Sequence, residues 1–313
     1  MAITAARLRS IRLRWATARQ AATDSDEEQG GEMIRVGCCS FCLGGLDLDE
    51  SLRLCRSIGF KHVDVSAADI GPKAQVDQQE AAADPDKQAQ RVRELAEKYE
   101  LELEEIFLCP VFVEGKRVEV SNPDPAVRKA LLENFRKICA FTGGAGFKSI
   151  MAVPGTPQDG ISDEEAWANA VETLREMVNI TADNGIRLST EPHAGSLIHQ
   201  PPAAMRMAEE VPGLTYTVDY AHWVAKGMKQ EDAYCLHEHA SHMHARQANP
   251  ENGHAHVDVG AIDFKAIIDD LRKRDWDGVI AMEFFGGVNH KDWKEHAVIQ
   301  NVALAQQLEA MAR

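Results

Sequence analysis

From Met33 onward the chain alternates short apolar runs with amphipathic stretches, eight of each, and nothing else in the sequence constrains the fold as strongly. The strand candidates are 34–41, 62–66, 101–108, 147–153, 186–191, 214–219, 241–245 and 278–284. The helix candidates lie near 48–58, 85–99, 124–141, 163–184, 201–210, 230–239, 263–273 and 291–311. Strands separated by helices return in the same direction, so the alternation produces a parallel sheet with crossovers. Asp84-Pro85, Asp124-Pro125 and Ser162 ahead of Asp163-Glu164-Glu165 supply helix starts. An oxygen side chain satisfies free N–H groups there, and proline fits the first turn. Gly59, Gly143 and Gly185 stand where helices should stop. No Gly-x-Gly-x-x-Gly follows the first strand, which argues against a dinucleotide-binding open sheet. The pattern predicts an α/β protein with one domain over 33–313, a (β/α)8 or TIM barrel, for which ~250 residues plus extensions is the usual size.

Residues 1–32 differ from the rest. Arg7, Arg9, Arg12, Arg14 and Arg19 precede the first acid, Asp24, and Leu8, Ile11 and Trp15 would share one helical face. An Arg-rich, acid-poor amphipathic start has the character of an organelle transit peptide. A start placed too early, with Met33 the true initiator, and a docking helix are the other readings. A disordered extension or a misplaced start is the expectation.

The formal net charge of −15 argues against a nucleic-acid groove, since a phosphate backbone needs a basic stripe. No apolar run reaches the ~20 residues a membrane span requires. Seven cysteines without a secretory signal favour reduced thiols and a cytoplasmic location. Cys39 and Cys42 form a Cys-x-x-Cys beside Cys38, read as small buried thiols lining a strand.

In barrels of this type the functional groups stand at the C-terminal ends of strands. The fifth strand closes with Glu191-Pro192-His193. The sixth closes with Asp219, followed by Tyr220-Ala221-His222. The seventh carries His242, His244 and Arg246 in alternation, on one face. The eighth closes with Glu283-Phe284-Phe285-Gly286-Gly287. Four successive strands thus deliver carboxylate, carboxylate, imidazole and carboxylate to one rim. Such a cluster repels itself unless a cation sits within it. Three oxygens and a nitrogen suit one divalent ion, Mn²⁺ first, with Co²⁺, Mg²⁺ or Zn²⁺ as alternatives.

The segments STEPHAGSLIHQPP, PGLTYTVDYAHW, HMHARQANPENGHAHVDVGAIDF and DGVIAMEFFGG resemble the sugar phosphate isomerase/epimerase family, the xylose-isomerase-like TIM barrels. The likeness is sharpest over 186–286. It implies that Glu191, Asp219, His244 and Glu283 bind the metal and that His222 contacts substrate. His244 is preferred to His242 by the resemblance alone, because the second His of the His-x-His is the family's usual ligand. A homo-oligomer is implied in the same way. Ketohexose 3-epimerases of the family usually carry a further Glu and a further Arg where this chain has Leu197 and Pro250, which counts against that activity. Arg246, His193 and His256 are the substrate-binding candidates that this chain offers instead.

The expected chemistry is isomerisation or epimerisation of a small-molecule sugar or keto-sugar. Glu191 and Glu283 would move the proton through a metal-stabilised enediolate, with His222 as an assisting acid. The alternative is a lyase or dehydratase acting on a 3-keto sugar, 3-keto glycoside or inosose. A phosphodiesterase resembling endonuclease IV would draw on His62 and Asp64, but needs more metal ligands and a basic surface. A non-catalytic sugar-binding subunit is the reading from outside enzymology. The long connection 109–123 is expected to cover the site or to form a subunit contact.

Overall fold

The computed structural model describes residues 34–43, 45–67, 75–108, 111–285 and 293–312. The readings of 1–32 and of Gly286-Gly287 lie outside them. Among the described residues ten strands occur in chain order: β1 (Arg35–Cys39), β2 (His62–Ser66), β3 (Glu102–Leu108), β4 (Val111–Val113), β5 (Lys116–Val118), β6 (Ser149–Ala152), β7 (Arg187–Thr190), β8 (Thr215–Val218), β9 (Ala240–Ala245) and β10 (Val279–Met282). Eight of them close into a parallel barrel in the order β1-β10-β9-β8-β7-β6-β3-β2. The seam is made by β1, which pairs with β10 through Cys38↔Met282 and with β2 through Cys39↔Asp64. Each expected strand is one of these eight.

Asp84, Asp124, Ser162 and Gly59 cap helices as expected, and Asp47 adds a further cap that was not expected. Asp47 accepts from the Glu50 N–H at 2.9 Å to start α1 (Leu48–Ile58), and Gly59, at φ 113°, ends it. After α2 (Gln78–Ala83), Asp84 begins α3 (Pro85–Lys98), and Asp124 begins α4 (Pro125–Ala145). Ser162 Oγ accepts from the Glu165 N–H at 3.1 Å at the head of α5 (Asp163–Asp183). Among the described residues the remaining helices are α6 (Pro201–Glu210), α7 (Ala221–Val224), α8 (Phe264–Lys273) and α9 (Trp293–Ala312), with 3-10 helices over Ser40–Cys42 and Gln230–Glu238.

Several features differ from the expectation, the short Ala221–Val224 helix among them. Part of the connection 109–123 is a hairpin, β4–β5, with Val111↔Val118 in register and Glu114 and Gly115 both at positive φ in its turn. The Gln78–Ala83 helix was not expected either. Nor does α4 stop at Gly143; it runs on to Ala145 and is capped by Gly146 at φ 95°. Gly143 has a packing reason instead: a Cβ there would lie 2.5 Å from the backbone oxygen of Asn184, the residue that caps α5.

Alanine at a helical glycine ordinarily stabilises by about 1 kcal/mol. At Gly143 the approach of Asn184 reverses the sign, and Gly143→Ala is expected to lower stability by about 1–3 kcal/mol. A lower urea midpoint at unchanged slope checks this; a raised midpoint would refute the close-packing role.

Candidate active site at the barrel mouth

Parallel strands in register bring their C-terminal ends to one rim, so the residues just past β7, β8 and β10 and near the end of β9 converge. Glu191, Asp219, His244, Arg246 and Glu283 are all buried. His244 Nδ1 lies 3.2 Å from Glu191 Oε1 and 3.3 Å from Glu283 Oε1. The second oxygen of each glutamate is held from outside. His222 Nε2 stands 3.3 Å from Glu191 Oε2, and Arg246 Nη1 donates to Glu283 Oε2 at 2.5 Å. Asp219 divides its oxygens similarly. Its Oδ1 accepts from the Ala221 N–H at 2.9 Å. Its Oδ2 is 2.7 Å from Arg246 Nη2 without hydrogen-bond alignment, and is left as a buried oxygen lacking a hydrogen bond.

The expected quartet falls into two groups rather than one tight knot. Potential ligand atoms of Glu191, Asp219 and His222 lie within 4.8 Å of one another, as do those of His244, Glu283 and Cys39. His244 to Glu191 and Arg246 to both Asp219 and Glu283 tie the halves together. His222 enters from α7, one turn beyond Asp219. His193 Nδ1 contacts the Glu191 carbonyl oxygen at 3.1 Å, and its ring centre is 6.1 Å from that of His222. His256 is edge-on to Phe284, with ring centres 6.4 Å apart.

The charges respond to this packing. Burial alone would raise the pKa of Glu191, but the adjoining imidazoles of His222 and His244 outweigh it and hold the carboxyl well below its usual range. Burial likewise opposes the charged form of His222, yet Glu191 and Asp219 raise its pKa. Glu283 is pushed up to about 7, by burial first and by Glu191 and Asp219 beyond what His244 and Arg246 recover. His254 is driven down to about 3 by burial and by the positive Arg246 and His222, and stays neutral.

Several residues here were not legible as site residues. Cys39, buried like its neighbours Cys38 and Cys42, lies beside His244 as well as lining the strand. Phe41, Phe107 and Phe285 form an apolar wall, with ring centres 5.1 Å (Phe41–Phe107) and 5.8 Å (Phe41–Phe285) apart, and Phe107 stacks on His244 at 6.0 Å. Asp64 and Glu105 are fully buried inside the barrel. The signal for Asp64 was a charged residue between Val63 and Val65 in mid-strand. His62 does not join it: its Nδ1 meets Glu104 at 2.6 Å at the opposite end of the barrel, so the nuclease constellation is not assembled.

The closed β/α barrel with a carboxylate-rich C-terminal mouth defines the class of protein. Residues 52–304 match the family model described as the xylose isomerase-like TIM barrel, and the chain belongs to that family. No curated protein matches it. Among solved structures, a D-tagatose 3-epimerase-like protein is similar at TM-score 0.66 and 19% identity, with 88% of this chain and 99% of that chain covered. The IOLI protein with a bound zinc atom follows at 0.66 and 17%, covering 90% and 98%. The probable 3-DHS dehydratase AsbF from Bacillus anthracis follows at 0.62 and 16%, covering 85% and 98%. At these identities the likeness is one of fold. Among the described residues no helix is long and apolar enough to cross a membrane.

Arg246→Leu would leave two buried carboxylates without their counter-ion. The expected cost is about 3–5 kcal/mol in denaturant melts. Arg246→Lys should recover only part of it, because one ammonium cannot reproduce the planar fork that reaches Asp219 and Glu283 together. Equal stability of all three proteins would contradict this account.

Proposed function

We propose that the chain is a divalent-metal-dependent isomerase or epimerase of a sugar or keto-sugar, with Glu191, Asp219, His244 and Glu283 holding the ion. The observation that carries the reading is the division of labour among the carboxylate oxygens. One oxygen of each glutamate is tied down by His222 or Arg246 while the other turns to His244 Nδ1, and Asp219 Oδ2 lacks a hydrogen bond. Three carboxylates outnumber the one guanidinium among them, and a divalent ion would offset the remaining negative charge. A donor set of oxygens with one imidazole fits Mn²⁺, Co²⁺, Mg²⁺ or Zn²⁺. The zinc in the IOLI protein, of like fold, supports an ion in a barrel of this kind. When bound, the ion would polarise the substrate carbonyl and acidify the neighbouring C–H.

Glu191 and Glu283 follow strands separated in the barrel by β8 and β9, and each has an oxygen near the same His244 nitrogen. A substrate carbon between them loses its proton to one carboxylate and regains one from the other. Return to the opposite face of the same carbon inverts it; return to the neighbouring carbon moves the carbonyl. His193, Arg246 and His256 are the candidates for holding the remaining hydroxyls. A lyase on a 3-keto sugar, 3-keto glycoside or inosose is the second reading. It is favoured by His222 Nε2, 3.3 Å from Glu191 and 3.7 Å from Asp219, which is placed to protonate a leaving group. Leu197, in the position where the family's ketohexose 3-epimerases have a Glu, points the same way, as does the similarity to a dehydratase.

The test is proton exchange in deuterated water, followed by NMR, with ketoses and 3-keto sugars and with Mn²⁺, Co²⁺ or Zn²⁺ added. Exchange at the carbon next to the carbonyl is expected, with loss on chelation and recovery on adding the ion back. Glu283→Gln should slow it by at least about 10²-fold. No exchange with any candidate sinks both readings, and unchanged exchange in Glu283→Gln removes that residue from the mechanism.

A further inference from the structure

The middle of a β/α barrel is ordinarily packed with branched apolar side chains. Here that layer is polar. Asp64 of β2, Glu105 of β3, Ser149 of β6, Ser189 of β7, Thr217 of β8 and His242 of β9 are all buried inside it. Glu105 is satisfied by Thr217 Oγ1 at 2.7 Å and Ser149 Oγ at 2.8 Å. Asp64 is fixed on both oxygens: Oδ1 accepts from the Glu105 N–H at 3.1 Å, and Oδ2 meets His242 Nε2 at 2.8 Å. Burying a carboxylate costs several kcal/mol of solvation, and apolar residues of similar volume commonly serve stability as well. Structure alone gives Asp64 little reason to be there.

What it faces supplies the reason. The two ring nitrogens of His244 look in different directions. Nδ1 faces Glu191 and Glu283, whereas Nε2 is buried, has no hydrogen bond, and has Asp64 Oδ2 at 3.6 Å and Glu105 Oε1 at 4.0 Å. The gap to Asp64 exceeds hydrogen-bond length by about half an ångström, within reach of a small rotation of the ring. An imidazole that offers Nδ1 as a ligand must carry its proton on Nε2, and a carboxylate behind Nε2 selects that tautomer. Phe107 stacks on the same ring and limits its tilt.

Resting on the metal reading above, we propose that Asp64 is a positioning residue for His244, holding the proton on Nε2 and aiming Nδ1 at the carboxylates. His242 is the anchor that keeps Asp64 in place. The His-x-His of β9 then has two distinct tasks: the second histidine is a ligand, and the first holds the carboxylate that orients it.

Cobalt binding tests this in the full chain, through affinity measured against a competing chelator and through the proton NMR spectrum of the cobalt-loaded protein. The wild type is expected to take up one ion per chain with visible d–d absorption. It should also show a hyperfine-shifted, slowly exchanging proton resonance from Nε2–H of His244. Asp64→Asn, isosteric but neutral, should weaken cobalt binding about 10–100-fold and abolish or broaden that resonance. His242→Gln keeps a donor to Asp64 and should stay near wild type, whereas His242→Leu should fall with Asp64→Asn. Ser149→Ala perturbs the same layer through Glu105 only and should leave affinity unchanged. Should Asp64→Asn not fold, the contrast between His242→Gln and His242→Leu carries the test. Wild-type affinity and resonance in both Asp64→Asn and His242→Leu overturn the proposal and leave the metal reading intact. Two ions per chain would overturn it as well, by making Asp64 a ligand. No cobalt absorption in the wild type defeats the metal reading itself.

Discussion

Five of the buried carboxylates, Asp64, Glu105, Glu191, Asp219 and Glu283, gather between the middle of the barrel and its mouth, and the rest of the site is arranged around that fact. An isolated buried carboxylate would neutralise itself or unfold its surroundings. Each of these is therefore met by a specific partner: Arg246 for Asp219 and Glu283, His222 and His244 for Glu191, His242 for Asp64, and hydroxyls for Glu105. Arg246 is the least replaceable of them. Its guanidinium spans two strand ends and keeps its charge at any pH a folded protein meets.

The barrel supplies what such a cluster needs, a rigid frame that fixes side chains by register. In a parallel strand, residues two apart face the same way, so His242, His244 and Arg246 form a column rising from the interior to the rim. The lowest meets Asp64, the middle one meets Glu191 and Glu283, and the highest meets Asp219 and Glu283. Three residues of one strand thereby connect the inner polar layer, the carboxylates and the mouth.

The barrel itself was legible because each strand and helix declares itself locally, through an apolar run, a capping Asp or Ser, or a glycine such as Gly59. The carboxylates and a histidine of β9 were legible because strand order and strand ends suffice to gather them, whereas the preference for His244 over His242 came from the family resemblance alone. Other features depend on contacts that no local pattern encodes. Gly143 has the look of a helix stop until Asn184, on the next helix, is seen against it. Asp64 and His242 are 178 residues apart and meet only because the barrel closes. The hairpin at Glu114-Gly115 carried a weak signal, a Val-Phe-Val run followed two residues later by Lys-Arg-Val, inside what otherwise reads as a connection. Arg246 could be placed on the right face from parity, but its grip on two carboxylates at once depends on distances across the mouth.

The mouth is also asymmetric in a way that bears on substrate. On one side stand the carboxylates with Arg246, His193 and His222. Next to them Phe41, Phe107 and Phe285 pack with Met151 and Cys39 as a hydrocarbon and thiol cluster, with Cys39 beside His244 and Glu283. A phosphate or carboxylate against that wall would lose its hydration without gaining a partner. A sugar, the substrate class proposed above, would satisfy both, because its hydroxyls lie along one edge and its C–H bonds along another. Its oxygens would face Glu191, Asp219 and Glu283 while its C–H surface lay on the phenylalanines. Phe107 belongs to both halves of this arrangement, since the ring that completes the apolar wall also stacks on His244. Packing at the wall and aim at the carboxylates are thus set by the same side chain.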